Sequence, residues 1–322
     1  MDVRFDVRWR FVTALVLSLV LLSGCLGAKE ESTDPEEEVE TAAAQVQYPL
    51  TIVDDSGQEV TIESRPERVI CFAPSNTEIL FSIGAGDRVV GVDDYSNWPE
   101  EEVAGLPSVG GPMNPSFEII ASLEPEVFFT IEGMEEMGEQ LSELGVTVVV
   151  FQPGDFEGIY RDIELAGQIM DVPDGAAEVI SQMRGEVARI EETLAGLSED
   201  DRVTVFYEVW GPEPLMTTGP GTFIDYMIRV SGGVNIAGDV TGEWVEFSAE
   251  ELIERDPDVI LTTLRDTILE LEGGKRPGWE SISAVRNGRY YQIDPDILTR
   301  PSPRIVEGLQ VMARLLHPGR FE

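Results

Sequence analysis

At 322 residues the chain has room for two ordinary domains, and its 42% hydrophobic content can build a core, which excludes wholesale disorder. Its 61 Asp and Glu against 22 Lys and Arg leave a formal net charge of -39, which excludes nucleic acid as a partner because phosphate binding depends on basic residues displacing counterions. Only Lys29 and Lys275 among the basic residues are lysines, and such a surface resembles those of salt-loving organisms, where concentrated cations screen self-repulsion, with an ordinary acidic secreted protein as the alternative.

The chain opens with Arg4, Arg8 and Arg10, followed by an almost wholly apolar run from Phe11 to Leu22. Twelve helical residues rise only about 18 Å, short of a hydrocarbon core of roughly 30 Å. Residues 1–24 therefore read as a signal peptide rather than a span. Leu22-Ser23-Gly24-Cys25 resembles a lipobox, which implies that Cys25 is lipidated and becomes the mature N-terminus. An ordinary signal peptide with a chance cysteine is the alternative. Seven of the twelve residues from Lys29 to Glu40 are acidic and none is aromatic, so residues 25–47 are expected to form a solvated, anchored linker.

Leu50–Val53 and Val60–Ile62 flank Asp54-Asp55-Ser56-Gly57, the pattern of a small hairpin. Arg68–Phe72 reads as a buried strand in which Cys71 acts as a small hydrophobe. Ser75-Asn76-Thr77-Glu78 has the spacing of a capping box ahead of an apolar helical run, and Gly84-Ala85-Gly86 closes that helix. Strand signals then alternate with helix signals: strands at Val89–Val92, Val127–Thr130 and Val146–Phe151, helices at Phe117–Leu123 and Glu135–Leu144. Such alternation predicts an α/β fold with mostly parallel sheets covered on both faces. From Asp174 to Leu197 one sustained amphipathic helix is expected, with Ile180, Met183, Val187, Ile190, Leu194 and Leu197 on its apolar face. The alternation resumes to a last helix from Ser302 to about Leu316.

An internal repeat organises this pattern. Ser116, Glu118, Ile120, Pro125, Val127 and Thr130 recur 132 residues later as Ser248, Glu250, Leu252, Pro257, Val259 and Thr262. In each copy a serine caps a helix, an acid follows in its first turn, and a proline ends it before a strand. Arg68-Val69 is echoed more faintly by Arg202-Val203. The spacing predicts two similar lobes, residues 48–173 and 198–322, joined by the long helix at 174–197.

Catalytic chemistry finds little support. The single histidine, His317, reads as a surface cap near the C-terminus, which excludes His-based triads and multi-histidine zinc sites. No CxxC, P-loop or G-x-S-x-G is present, and the acidic pairs Asp54-Asp55, Asp93-Asp94 and Asp200-Asp201 read as turns and solvated surface. A non-enzymatic role is expected. Aromatic residues, by contrast, gather in predicted loops: Tyr95 and Trp98 after one predicted strand, Trp210 after another, and Trp244 just before the second repeat. Ligands of parallel sheets collect outside the strands' carboxyl ends, where flat side chains suit a large planar ligand. Each could equally be a packing anchor, and Trp279 reads as structural.

Ala73-Pro74-Ser75-Asn76-Thr77-Glu78-Ile79-Leu80, then Gly86–Val92 and Tyr95-Ser96-Asn97-Trp98-Pro99, resemble the cobalamin and iron-siderophore solute-binding proteins of ABC importers. Thr218-Gly219, Ser231–Ile236 and Pro301–Val306 continue the resemblance, which spans about residues 48–318 and is strongest to the vitamin B12 binders. It implies the periplasmic-binding-protein type of fold: two α/β lobes bridged by one rigid helix, with ligand in the cleft. It further implies ligand contacts at Tyr95, Trp210, Trp244 and Asp296, with Arg300 able to serve an anionic siderophore instead. Glu118 and Glu250 match the paired glutamates that dock onto permease arginines. Two cleft tryptophans of the B12 binders are replaced by about Pro112 and Ile131. The implied protein is a free monomer anchored by lipid to the outer face of the cytoplasmic membrane. It needs no cofactor of its own, because the metal arrives already chelated as a corrinoid, a ferric siderophore or haem. Its partner is an ABC permease dimer with its ATPase.

Overall fold

The computed structural model describes residues 46–321. The predicted signal peptide, the expected lipidation site Cys25 and most of the expected acidic linker lie outside the described residues. Among these residues no helix is long and apolar enough to cross a membrane.

The chain enters through a hairpin, β1 (Leu50–Val53) and β2 (Glu59–Ile62), paired antiparallel. The first lobe continues with β3 (Val69–Cys71), α1 (Pro74–Ser82), β4 (Val89–Val92), α2 (Glu100–Val103), α3 (Phe117–Ser122), β5 (Val127–Thr130), α4 (Glu135–Glu143), β6 (Thr147–Val150) and α5 (Phe156–Ile169). The long helix α6 (Pro173–Leu194) follows. The second lobe holds β7 (Val203–Glu208), β8 (Leu215–Thr218), α7 (Phe223–Val230), β9 (Gly233–Asn235), β10 (Trp244–Phe247), α8 (Ala249–Arg255), β11 (Val259–Thr262), α9 (Arg265–Glu272), α10 (Ser283–Arg286), β12 (Tyr290–Gln292), α11 (Pro295–Leu298) and α12 (Ile305–Leu316).

The two lobes share one topology. The first sheet runs β4-β3-β5-β6 and the second β9-β7-β11-β12, all parallel. The repeat seen in the sequence thus places β5 and β11 at equivalent inner positions, beside β3 and β7. Ser116 and Ser248 cap α3 and α8, each accepting from the backbone N–H three residues on. The equivalence extends to backbone conformation: Glu124 and Asp256, 132 residues apart, both adopt left-handed φ, at 47° and 41°. Both follow a helix and precede the proline, where one left-handed residue turns the chain toward its strand.

Helix α6 joins the lobes by packing on α1 and α5 of the first and on α7 and α12 of the second. Its buried residues Ala176, Val179, Met183, Val187, Ile190 and Leu194 belong to one apolar core that includes strands of both sheets. Gly175 makes the α1 contact possible, since a Cβ there would stand 2.2 Å from the Ile83 carbonyl oxygen.

Three local readings are corrected. Ser75–Glu78 is no capping box: Ala73 is the N-cap, Pro74 takes the first helical position, and the four polar residues lie inside α1, buried. Asp54 and Asp55 are not solvated. Asp54 accepts from the Val150 N–H at 3.0 Å, and Asp55 from the Gln152 N–H at 2.6 Å and Arg161 at 2.5 Å, fastening the hairpin to the end of β6. His317 does end α12, but it is buried, with its Nε2 3.2 Å from the Gly232 carbonyl, and burial lowers its pKa. Trp279 and Cys71 are buried, in keeping with structural roles.

Candidate functional site

Strands β4 and β7 point their carboxyl ends into loops that carry Tyr95 and Trp210, and β12 leads into α11, whose first turn carries Asp296. That end of a parallel sheet is where backbone groups and loops converge on a ligand. The loop after β4 is shaped by Asp93, a buried carboxyl that accepts from the Tyr95 N–H at 3.0 Å and the Ser96 hydroxyl at 2.5 Å. Burial pushes the Asp93 carboxyl above the usual range, against those hydrogen bonds and the nearby Arg300 charge. The fold of this loop leaves the Tyr95 ring 62% exposed.

Trp210 and Trp244 flank one strand. Trp244 begins β10 opposite Thr218 of β8, while Trp210 bridges Met216 on the other edge of β8. Met216 and Thr218 share one face of the strand, and directly opposed residues share a face, so both indoles lie on the same side. They are 61% and 55% exposed, unusual for the largest apolar side chain. Behind Trp210, the end of β7 is held by Glu208, which is fully buried and accepts from Arg276 at 2.6 and 2.8 Å and from Thr267 at 2.7 Å. Gly211 is required there, because a Cβ would meet the Glu208 Oε1 at 2.5 Å.

Across the lobes runs a polar network that the sequence did not reveal. Glu78 of α1 accepts from Arg300 at 2.8 Å, from Arg304 at 3.2 Å and from the Ser302 hydroxyl at 2.5 Å. Arg300 also donates to Asn97 at 2.7 Å and to the Tyr95 carbonyl at 3.4 Å, and pairs with Asp296 at 2.6 Å. Asn97 in turn donates to Asp296 at 2.7 Å. The Arg304 guanidinium lies 5.3 Å from the centre of the Trp98 ring. Burial raises the Glu78 carboxyl pKa, while Ser302 and the two guanidiniums pull it down.

The structure therefore brings Tyr95, Asp296 and Arg300 together at one junction, and Trp210 and Trp244 together on one small sheet. Glu118 and Glu250 stand elsewhere, exposed in the first turns of α3 and α8. Sequence reasoning missed Glu78, Asn97, Ser302 and Arg304. A signal existed only in the density of polar residues in Pro301–Arg304 and in the acid at position 78, neither of which names its partner.

The periplasmic binding protein family model matches residues 69–297, which spans both sheets. The chain belongs to the periplasmic binding protein family. An uncharacterized ABC transporter substrate-binding lipoprotein of Bacillus subtilis is 35% identical over 315 residues, 96% of this chain and 97% of that one. A cobalamin-binding protein of Halobacterium salinarum is 27% identical over 96% of this chain and 85% of its own length. Among solved structures, a possible iron-binding, periplasmic solute-binding protein of Staphylococcus epidermidis superposes with a TM-score of 0.72 at 28% identity, covering 78% of this chain and 99% of that one. The two-lobed architecture is that of a periplasmic binding protein.

Proposed function

We propose that this periplasmic binding protein is a lipid-anchored, extracytoplasmic receptor that captures cobalamin or another corrinoid between its lobes and delivers it to an ABC permease. The observation that carries the reading is the exposure of Tyr95 and Trp210 beyond the carboxyl ends of β4 and β7 and of Trp244 at the start of β10, with the two indoles on one face of the β8–β10 sheet. A corrin is a broad macrocycle with apolar faces and a rim of neutral amides. Exposed aromatic faces on a firm sheet cover the first, and a carboxylate such as Asp296 accepts from the second. The likeness to the cobalamin-binding protein of Halobacterium supports the same ligand. The metal arrives inside its chelate, so the receptor itself needs no cofactor and performs no turnover. Cys25 carries the anchor, and Glu118 and Glu250 present one carboxylate from each lobe to the two halves of the permease.

A second reading, a ferric siderophore or haem, is favoured by the likeness to the Staphylococcus protein and by the guanidinium of Arg300 at the junction. Tryptophan fluorescence separates the two. Cyanocobalamin is expected to quench the native emission, and Trp244→Ala to weaken binding roughly tenfold or more, the effect of losing one stacking aromatic. Unchanged affinity in Trp244→Ala would remove that indole from the ligand site.

A further inference from the structure

Arginines at a ligand cleft ordinarily recognise anions, because a guanidinium offers several donors and a charge that cannot be titrated away. Here both already face carboxylates from within the chain, although the Arg304 Nε has no hydrogen-bond partner. Arg300 spends its terminal nitrogens on Glu78, Asn97, Asp296 and the Tyr95 carbonyl. Arg304 reaches the same Glu78 oxygen at 3.2 Å and lies 3.6 Å from the Glu307 carboxylate. Glu78 is the common partner, its side chain only 1% exposed and tied down by Ser302. It comes from the opposite lobe to the arginines it holds. An anionic ligand would have to displace a buried, pre-positioned carboxylate, whereas a neutral one need not disturb it.

We propose that Glu78 determines the charge class of the ligand: by neutralising Arg300 and Arg304 across the lobes, it reserves the cleft for neutral ligands and excludes anionic chelates. This deepens the corrinoid reading of the same cleft and rests on the cleft being the ligand site. Glu78→Gln keeps the size and an acceptor oxygen but removes the buried carboxylate that both guanidiniums share, leaving each with one more exposed acid, Asp296 or Glu307. It should convert the cleft into an anion site.

The test is calorimetric titration of the full chain with ferric citrate and, separately, with cyanocobalamin. Glu78→Gln is expected to bind ferric citrate at least tenfold more tightly than the native chain, and Glu78→Gln combined with Arg300→Gln to lose that gain. Asp296→Asn, which frees Arg300 from its more exposed side, should give a smaller gain and guards against a Glu78 variant that does not fold. A folded Glu78→Gln with no gain for ferric citrate, or a native chain that binds it as tightly as the variant, overturns the proposal. If Glu78→Gln fails to fold, absence of any gain in Asp296→Asn overturns it. The two readings fail separately. Native chain that ignores cyanocobalamin, beside a variant that gains ferric citrate, sinks the corrinoid reading and supports the role of Glu78.

Discussion

Glu118 and Glu250 occupy the same place in the two lobes, each the second residue of a serine-capped helix and each exposed. Their helices lead into β5 and β11, the equivalent inner strands of the two sheets. A two-lobed receptor that meets a two-fold permease would present this pair symmetrically. Charged rim contacts of this kind set orientation and encounter rate, and reversal makes them repulsive. Glu118→Arg with Glu250→Arg is expected to abolish stimulated transport in reconstituted vesicles while changing ligand affinity less than about twofold. Normal uptake by the double variant would remove these acids from the docking surface.

Asp162 of α5 is fully buried, and neither carboxyl oxygen has a hydrogen-bond partner among the described residues. Burial and then the neighbouring Asp55 push it up to about 8 from an ordinary 3.8, with Arg161 opposing. The folded chain holds a proton that the unfolded chain has released, so stability falls as pH rises from 3.8 to about 8 and levels beyond. The slope is at most about 1.4 kcal/mol per pH unit. Asp162→Asn should flatten it, leaving the variant with the higher melting temperature at roughly pH 8.5 and little difference near pH 4. Parallel pH profiles for the two chains would place the titrating group elsewhere.

Two glycines of α6 should respond in opposite directions. Gly185 has open space where a Cβ would stand, so Gly185→Ala should stabilise by about 0.5–1 kcal/mol through helix propensity. Gly175→Ala would press on the Ile83 carbonyl, a backbone atom that cannot swing aside, and should destabilise by about 1–3 kcal/mol. Urea midpoints measure both. Equal gains would mean that α1 and α6 do not meet as closely as described.

The formal charge of -39 predicts that the melting temperature rises from dilute buffer to molar KCl, as screening relieves self-repulsion in the compact state. A flat or falling trend would detach the acidic surface from any adaptation to salt.

The lobes were legible in the sequence because caps, helix-ending prolines and buried strands are local patterns, and a local pattern repeats visibly when a lobe does. Tyr95 and Trp210 were legible as loop residues, but Trp244 begins a strand and its pairing was hidden: β8 and β10 are four residues each, too short to announce a sheet. Glu78 was misread for a related reason. Its spacing from Ser75 imitates a cap, while the groups that decide its role, Arg300, Ser302 and Arg304, lie more than 220 residues downstream. Asp54 does hold the hairpin turn, accepting from the Ser56 and Gln58 N–H groups, but its burial and that of Asp55 were not legible, because their other partners lie at and just beyond the distant end of β6.

Calorimetric titration of cyanocobalamin into the full chain decides whether this receptor takes a corrinoid. Saturable binding of one ligand per chain, micromolar or tighter and weakened by Trp244→Ala, is the expected result. Absence of binding by any corrinoid, together with tight binding of a ferric siderophore or haem, would contradict it.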